Sequence, residues 1–277
     1  RERSHFDGQD VLESGYPGPS FTSSGWLNRF VGTLPAGEAV SRRGCLGVGA
    51  VAPLIARGPS PVMGWAPPII GRAADDIATR VLDLYSAQDR ALALALRQGL
   101  ETDKIAIKAS LEPEGPKSAS AANPAAPQAM VQVAEGAARI MAEEDGPRIA
   151  AVAFDGWDTH AREGGATGRL ATLLGGLDGA LGAFERTLKP YWKDTAILVV
   201  TEFGRTARIN GTQGTDHGTA TAAFLVGGAV RGGRVVADWP GLKPNQLYQG
   251  RDLAPTTDLR AVAKGVLGDL YGVPSAV

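Results

Sequence analysis

A single cysteine, Cys45, stands in 277 residues. An intramolecular disulfide framework, or a zinc or iron–sulfur site built from thiolates, is therefore excluded. The expected role of Cys45 is that of a small apolar filler near a loop. Charge of neither sign dominates: 28 Lys and Arg face 29 Asp and Glu, for a net charge of −1. A nucleic-acid or anionic-membrane partner would lack electrostatic support. No apolar run approaches the roughly 20 residues that cross a bilayer, so a soluble chain without a membrane span is expected. No Gly-x-x-x-x-Gly-Lys-Ser/Thr loop occurs, which excludes a P-loop, and no Gly-x-Ser-x-Gly elbow. Gly227-Gly228 and Gly232-Gly233 lack the spacing of a dinucleotide fingerprint and read as tight turns.

Glycine (37) and proline (18) are plentiful and follow no fixed period, which excludes collagen and points to a loop-rich α/β protein. Residues 1–72 read as loops and short helices, broken at Pro17-Gly18-Pro19, Pro35-Ala36-Gly37 and Pro67-Pro68. Helical periodicity runs from Asp75 to about Leu100 and again over about 126–144, across a mobile connection at Gly115–Pro124. Arg148–Phe154 reads as a strand buried on both faces. The clearest helix follows, with Leu170, Leu173, Leu174, Leu177, Leu181, Phe184 and Leu188 as a core stripe closed by Lys189-Pro190. Thr195–Thr201 and Ala220–Val226 read as further buried strands, and a last helix runs from Thr256-Thr257-Asp258 to about Tyr271. Trp157, Trp192 and Trp239 read as packing residues. This order predicts a single α/β domain over 1–277, a mostly parallel sheet covered by helices on both faces. Chemistry in such sheets gathers at the carboxyl ends of strands.

The three histidines show where to look. Each lies within two residues of an aspartate, in Ser4-His5-Phe6-Asp7, Asp158-Thr159-His160 and Asp216-His217-Gly218. His160 follows the first strand of the second half, and His217 lies in a polar, Gly-bearing loop after the next, itself ending in Thr201-Glu202-Phe203-Gly204-Arg205. Imidazole and carboxylate are the common ligands of zinc, manganese and iron, so the pattern predicts a metal or acid–base site. Arg205 is placed either to clamp an anionic substrate oxygen or to pair with Glu202.

Gly156–His160, Thr201–Arg205, Gly214–Thr219 and the earlier Arg3–Gln9 resemble, in order and over nearly the whole chain, the bacterial domain-of-unknown-function 1501 family. The resemblance implies an exported, periplasmic protein, often with a twin-arginine signal, of the alkaline phosphatase/sulfatase-like superfamily. It implies a doubly wound sheet and divalent metal ions, zinc or manganese, acting on a small anionic ester. Carried onto this chain, it makes Asp158, His160, Glu202, Asp216 and His217 the metal ligands, with Glu202 and His217 favoured and Asp216 third. Ser4 falls near the superfamily's nucleophile, at a helix start, and His5, Asp7 and Arg205 join it as catalytic candidates. The family pattern also places an opening strand with a Gly-Gly-x-Asp-Gly-like turn before Arg1, and a short tail after Pro274, so a processed or truncated chain is expected.

Two functions follow as expectations. One is a metal-dependent hydrolase of phosphate or sulfate esters, in which Arg205 steadies the non-bridging oxygens. The other is a non-catalytic exported binding or assembly protein on a hydrolase-like fold. Substrate, metal identity and oligomeric state stay open at this point.

Overall fold

The computed structural model describes residues 3–20, 22–35, 44–49, 51–67, 85, 90–109 and 127–273. Its elements, in chain order, are α1 (His5–Ser14), α2 (Trp26–Thr33), β1 (Cys45–Val48), β2 (Val62–Trp65), α3 (Arg90–Ala109), α4 (Pro127–Ala142), β3 (Ile149–Val152), α5 (Arg169–Thr187), β4 (Ile197–Val199), β5 (Phe224–Val226) and α6 (Leu259–Tyr271). Short 3-10 segments lie at Leu54–Ala56, Lys189–Asp194 and Pro244–Gln246. The chain is an α/β protein. The first part of the helix expected from Asp75, the connection at Gly115–Pro124 and the end of the chain after Val273 lie outside the described residues, Tyr85 excepted. No helix among the described residues is long and apolar enough to cross a membrane.

The residues form two compact units: Ser23–Asp155 with Gly176–Leu188, and Arg1–Thr22 with Gly156–Gly175 and Lys189–Val277. The first is built on a parallel sheet in the order β2-β1-β3, with Leu46 opposite Met63 and Ala150, and Val48 opposite Trp65 and Val152. Because side chains alternate along a strand, these residues share one face, and they pack against Val133, Ala137 and Ile140 of α4. Gly136 leaves room for Trp65, whose ring would lie 2.2 Å from a Cβ there. Pro127 opens α4, where its fixed φ suits the first turn. Arg148 closes it, donating to the carbonyls of Met141, Glu143 and Glu144 before the chain enters β3.

The expectation of loops and short helices over 1–72 holds for α1 and α2 but misses β1 and β2. Each strand has only four residues with a glycine inside, Gly47 or Gly64, which erases the β signature. Gly47 is small because a Cβ there would come 2.8 Å from the Ala52 side chain. Cys45, expected near a loop, is fully buried in the central strand, and burial pushes its thiol up to about 12.

The leucine stripe of α5 is also corrected. Its buried positions are Leu173, Gly176, Ala180, Ala183 and Leu188, while Leu174 is 44% exposed. Small residues hold the middle of that line because α4 approaches closely: a Cβ on Gly176 would lie 2.7 Å from the Pro127 backbone.

In the other unit, α1 starts at Ser4, whose hydroxyl accepts the Asp7 N–H at 3.5 Å, and stops at Gly15 in the left-handed region. The expected strands over 195–201 and 220–226 shorten to β4 and β5, which pair antiparallel in a separate two-stranded sheet. That overturns the parallel arrangement predicted for them. No crossover helix lies between them, and a parallel pair is usually joined by one. Nor is β5 buried, since Phe224 is 50% and Leu225 37% exposed; Trp239, read as packing, is 61% exposed. Asp258 caps α6 through the Arg260 N–H at 2.9 Å.

Candidate metal centre

Backbone hydrogen bonds fold three motifs onto one another. Beyond β4, the segment carrying Glu202 and Arg205 runs antiparallel to the one carrying Asp216 and His217, with Arg205 bridged to His217. Gly218 N–H donates to Gly204 O at 2.7 Å, Gly204 N–H to Thr219 O at 3.0 Å, and Thr206 N–H to Asp216 O at 2.9 Å. The loop after β3 is tied to the same ribbon: His160 O accepts from Asn210 Nδ2 at 3.0 Å and Thr212 Oγ1 at 2.7 Å. Two glycines make the approach possible. A Cβ on Gly214 would lie 2.3 Å from His160 backbone, and one on Gly218 would lie 2.5 Å from Arg205 O. Helix α1 delivers His5 by packing Gly8 on Phe203 and Glu202, where a Cβ would already be 3.1 and 3.3 Å away.

Asp158 is the hub. Its Oδ1 lies 3.0 Å from His160 Nε2 and 3.1 Å from His217 Nε2, and its Oδ2 lies 3.3 Å from His5 Nε2. The Arg205 guanidinium also donates to Oδ1, while Arg205 Nε donates to Thr215 Oγ1 at 3.0 Å. One ligand-capable atom each from His5, Asp158 and His217 lies within 4.8 Å of the others. The far ring nitrogens are spoken for: His5 Nδ1 meets Glu202 Oε1 at 2.8 Å, and His160 Nδ1 meets Asp216 Oδ1 at 3.3 Å. His217 Nδ1 lies 2.8 Å from Arg3 O, a carbonyl that can only accept. A proton therefore sits on Nδ1, which leaves Nε2 as the ring nitrogen available to a metal ion. Nε2 lies 3.1 Å from the Asp158 carboxylate and 3.0 Å from His160 Nε2. The rings stack as well, His5 edge-on to His217 at 4.5 Å and His217 tilted over Phe203 at 4.6 Å.

The electrostatics are those of a coupled cluster. Burial pushes the Asp158 carboxyl up, but the Arg205 and His5 hydrogen bonds, with the charges of His160 and Arg205, outweigh it and hold the group at about 2. Burial likewise opposes Glu202, which ends below the ordinary glutamate range through its own backbone N–H, His5 and Thr201. The Glu202 hydrogen bond raises His5 against a lesser opposing effect of burial, and Asp158 adds to the rise. Asp216 is held down by Asn210, then His160.

The structure thus brings together seven of the nine residues singled out in the sequence. Asp158 and His217 form one cluster with His5, which had been assigned to catalysis; His160 touches two of the three; Glu202 and Asp216 sit behind the imidazoles. Arg205 pairs with Asp158, and no hydrogen bond or ion pair joins it to Glu202 among the described residues. Ser4 and Asp7 meet each other at the start of α1, and no side-chain hydrogen bond among the described residues links them to the cluster. Sequence reasoning missed the role of Arg3, although it stands in a quoted motif, and missed Asp252, fully buried and ion-paired with Arg3 at 2.6 Å. Asp252 carries no local signal, with no histidine near it in the chain.

No curated protein and no solved structure matches the chain. The family model described as "Protein of unknown function (DUF1501)" matches residues 2–277, a span that takes in all four motifs meeting at this cluster or leading into it. The chain belongs to the DUF1501 family.

Proposed function

We propose that this chain is a metal-dependent hydrolase-like protein, with His5, Asp158 and His217 as ligands of a divalent ion, zinc or manganese. The observation that carries the reading is the convergence of two imidazole nitrogens and a carboxylate oxygen within 4.8 Å, with His217 oriented by a backbone carbonyl. The donor set fits zinc: nitrogen and oxygen ligands, each imidazole held through its other nitrogen. Such an ion, when bound, supplies a Lewis acid and lowers the pKa of a hydroxyl or water. The chain's own residues then set the rest. Glu202 fixes the His5 ring, and Asn210 and His160 orient Asp216. Arg205, braced by Thr215, supplies a planar cation for the oxygens of a small anionic phosphate or sulfate ester. Ser4, at the start of α1, is the proposed nucleophile, its place at a helix N-terminus matching the superfamily resemblance. Membership of the alkaline phosphatase/sulfatase-like superfamily and export are part of the same proposal and rest on that resemblance.

One observation favours a second reading, a non-catalytic exported binding or assembly protein. The Arg205 guanidinium already pairs with Asp158, so the carboxylate at the hub has a counter-charge without an ion. Elemental analysis of the purified protein separates the two. Stoichiometric zinc or manganese, with turnover on a panel of phosphomonoester, phosphodiester and sulfate-ester substrates, supports the hydrolase; a metal-free, inactive protein supports the alternative.

A further inference from the structure

Asp252 is the outlier of this unit. It is fully buried, its Oδ1 has no hydrogen-bond partner among the described residues, and Arg251 Nη1 stands 3.6 Å from that atom. Its other oxygen takes both Nε and Nη2 of Arg3, at 2.8 and 2.6 Å, and Gln249 Oε1 takes a second bond from Nη2 at 2.7 Å. A carboxylate held this way is costly to bury, and the ion pair commonly adds little net stability for its cost. Its consequence here is positional. Arg3 is fixed from its side chain, and its backbone oxygen accepts the Nδ1 proton of His217. Arg251 closes the arrangement from the other side, donating to His217 O at 2.7 Å.

We infer that Asp252 and Arg3 are positioning residues of the candidate centre: the buried ion pair sets the Arg3 carbonyl, which keeps a proton on His217 Nδ1 and directs Nε2 at Asp158. The inference rests on the reading of His217 as a ligand only for its consequence on metal affinity; the hold on the Nδ1 proton stands apart from it. Two-bond proton–nitrogen spectra of the imidazoles in the metal-free full chain report which nitrogen of His217 carries the proton. Zinc titration by calorimetry reports affinity. In the wild type the proton is expected on Nδ1. The double variant Arg3→Gln/Asp252→Asn removes both charges together and leaves no unpaired ion buried. It is expected to shift His217 toward a mixture of tautomers and to weaken zinc binding by about 10- to 100-fold. A wild-type His217 protonated on Nε2 alone would overturn the inference, and so would a double variant whose Nδ1 protonation is unchanged. Absence of zinc binding by the wild type would overturn the metal reading but leave that hold to be decided by the spectra. The wild-type spectrum needs no variant, so a variant that fails to fold does not remove the test.

Discussion

The two compact units solve the problem of staying folded by different means. In Ser23–Asp155 with Gly176–Leu188, order comes from apolar burial: Leu46, Val48, Met63 and Trp65 pack against α4, and the sheet carries no titratable group beyond the deeply buried Cys45. In the other unit, few large apolar side chains are buried, Leu173, Phe203 and Leu247 among them. Its loops are instead held by backbone carbonyls, amide side chains and ion pairs around Asp158 and Asp252. The comparison teaches that the candidate centre stands where polar satisfaction, rather than close packing, fixes the geometry. Substitutions should therefore separate into those that remove stability and those that remove the site.

The largest effect on stability is expected in the apolar unit. Leu46→Ala empties a fully buried position in the central strand and should cost about 2–5 kcal/mol in urea denaturation. Metal content per folded molecule should stay unchanged. A cost under about 1 kcal/mol would break the comparison by showing the sheet to be loosely packed. His217→Ala is expected to do the reverse. It strips a ring bonded to Arg3 O and stacked on Phe203, at about 1–2 kcal/mol in the metal-free protein, and should abolish zinc binding. Retained zinc would remove His217 from the centre.

How much of this was legible in the sequence follows the same division. Helices α4, α5 and α6 were readable because apolar periodicity and capping residues such as Asp258 are local signals. Strands β1 and β2 were not, because Gly47 and Gly64 interrupt them and their burial comes from residues far along the chain. The cluster around Asp158 was legible because imidazole beside carboxylate is conspicuous in a chain with three histidines. What stood behind it was not: Asp252 reaches Arg3 across 249 positions, and nothing in either segment announces the pairing. Glu202 was read as a ligand from its place after a strand; the contact of its Oε1 with His5 Nδ1 is set by the fold and has no signal in the sequence.

A smaller effect tests polar anchoring at a helix end in the second unit. Asp258→Ala removes the N-cap of α6 and its Arg260 partner, with an expected loss of about 1 kcal/mol. The Arg260 hydrogen bond is what chiefly holds the Asp258 carboxyl below its ordinary value. A group depressed in the folded state adds stability that is full above its unfolded pKa, near 4. That contribution is lost as pH falls through the lower folded value. The gap between wild type and Asp258→Ala should thus be constant at neutral pH and narrow below about pH 4. Because the pair is half exposed, added salt should narrow it too. A gap that widens in acid would show that the cap acts in another way.

The smallest expected effect on stability comes from His160→Ala, and it sharpens the comparison most. The His160 side chain is 46% exposed, so truncation should cost about 0.5 kcal/mol or less. The three donors of the compact cluster, on His5, Asp158 and His217, remain in place without it. What disappears is the ring between Asp158 and Asp216, and with it the link from Asn210 through Asp216 toward the hub. Zinc should therefore still bind with unchanged stoichiometry, at an affinity reduced about 10- to 100-fold, the range seen when a supporting partner is lost. Calorimetric titration beside that of His217→Ala reads the difference directly. If His160→Ala abolishes binding as completely as His217→Ala does, His160 is itself a ligand and the centre is larger than the three-residue cluster. If affinity does not change at all, the ring only decorates the loop after β3.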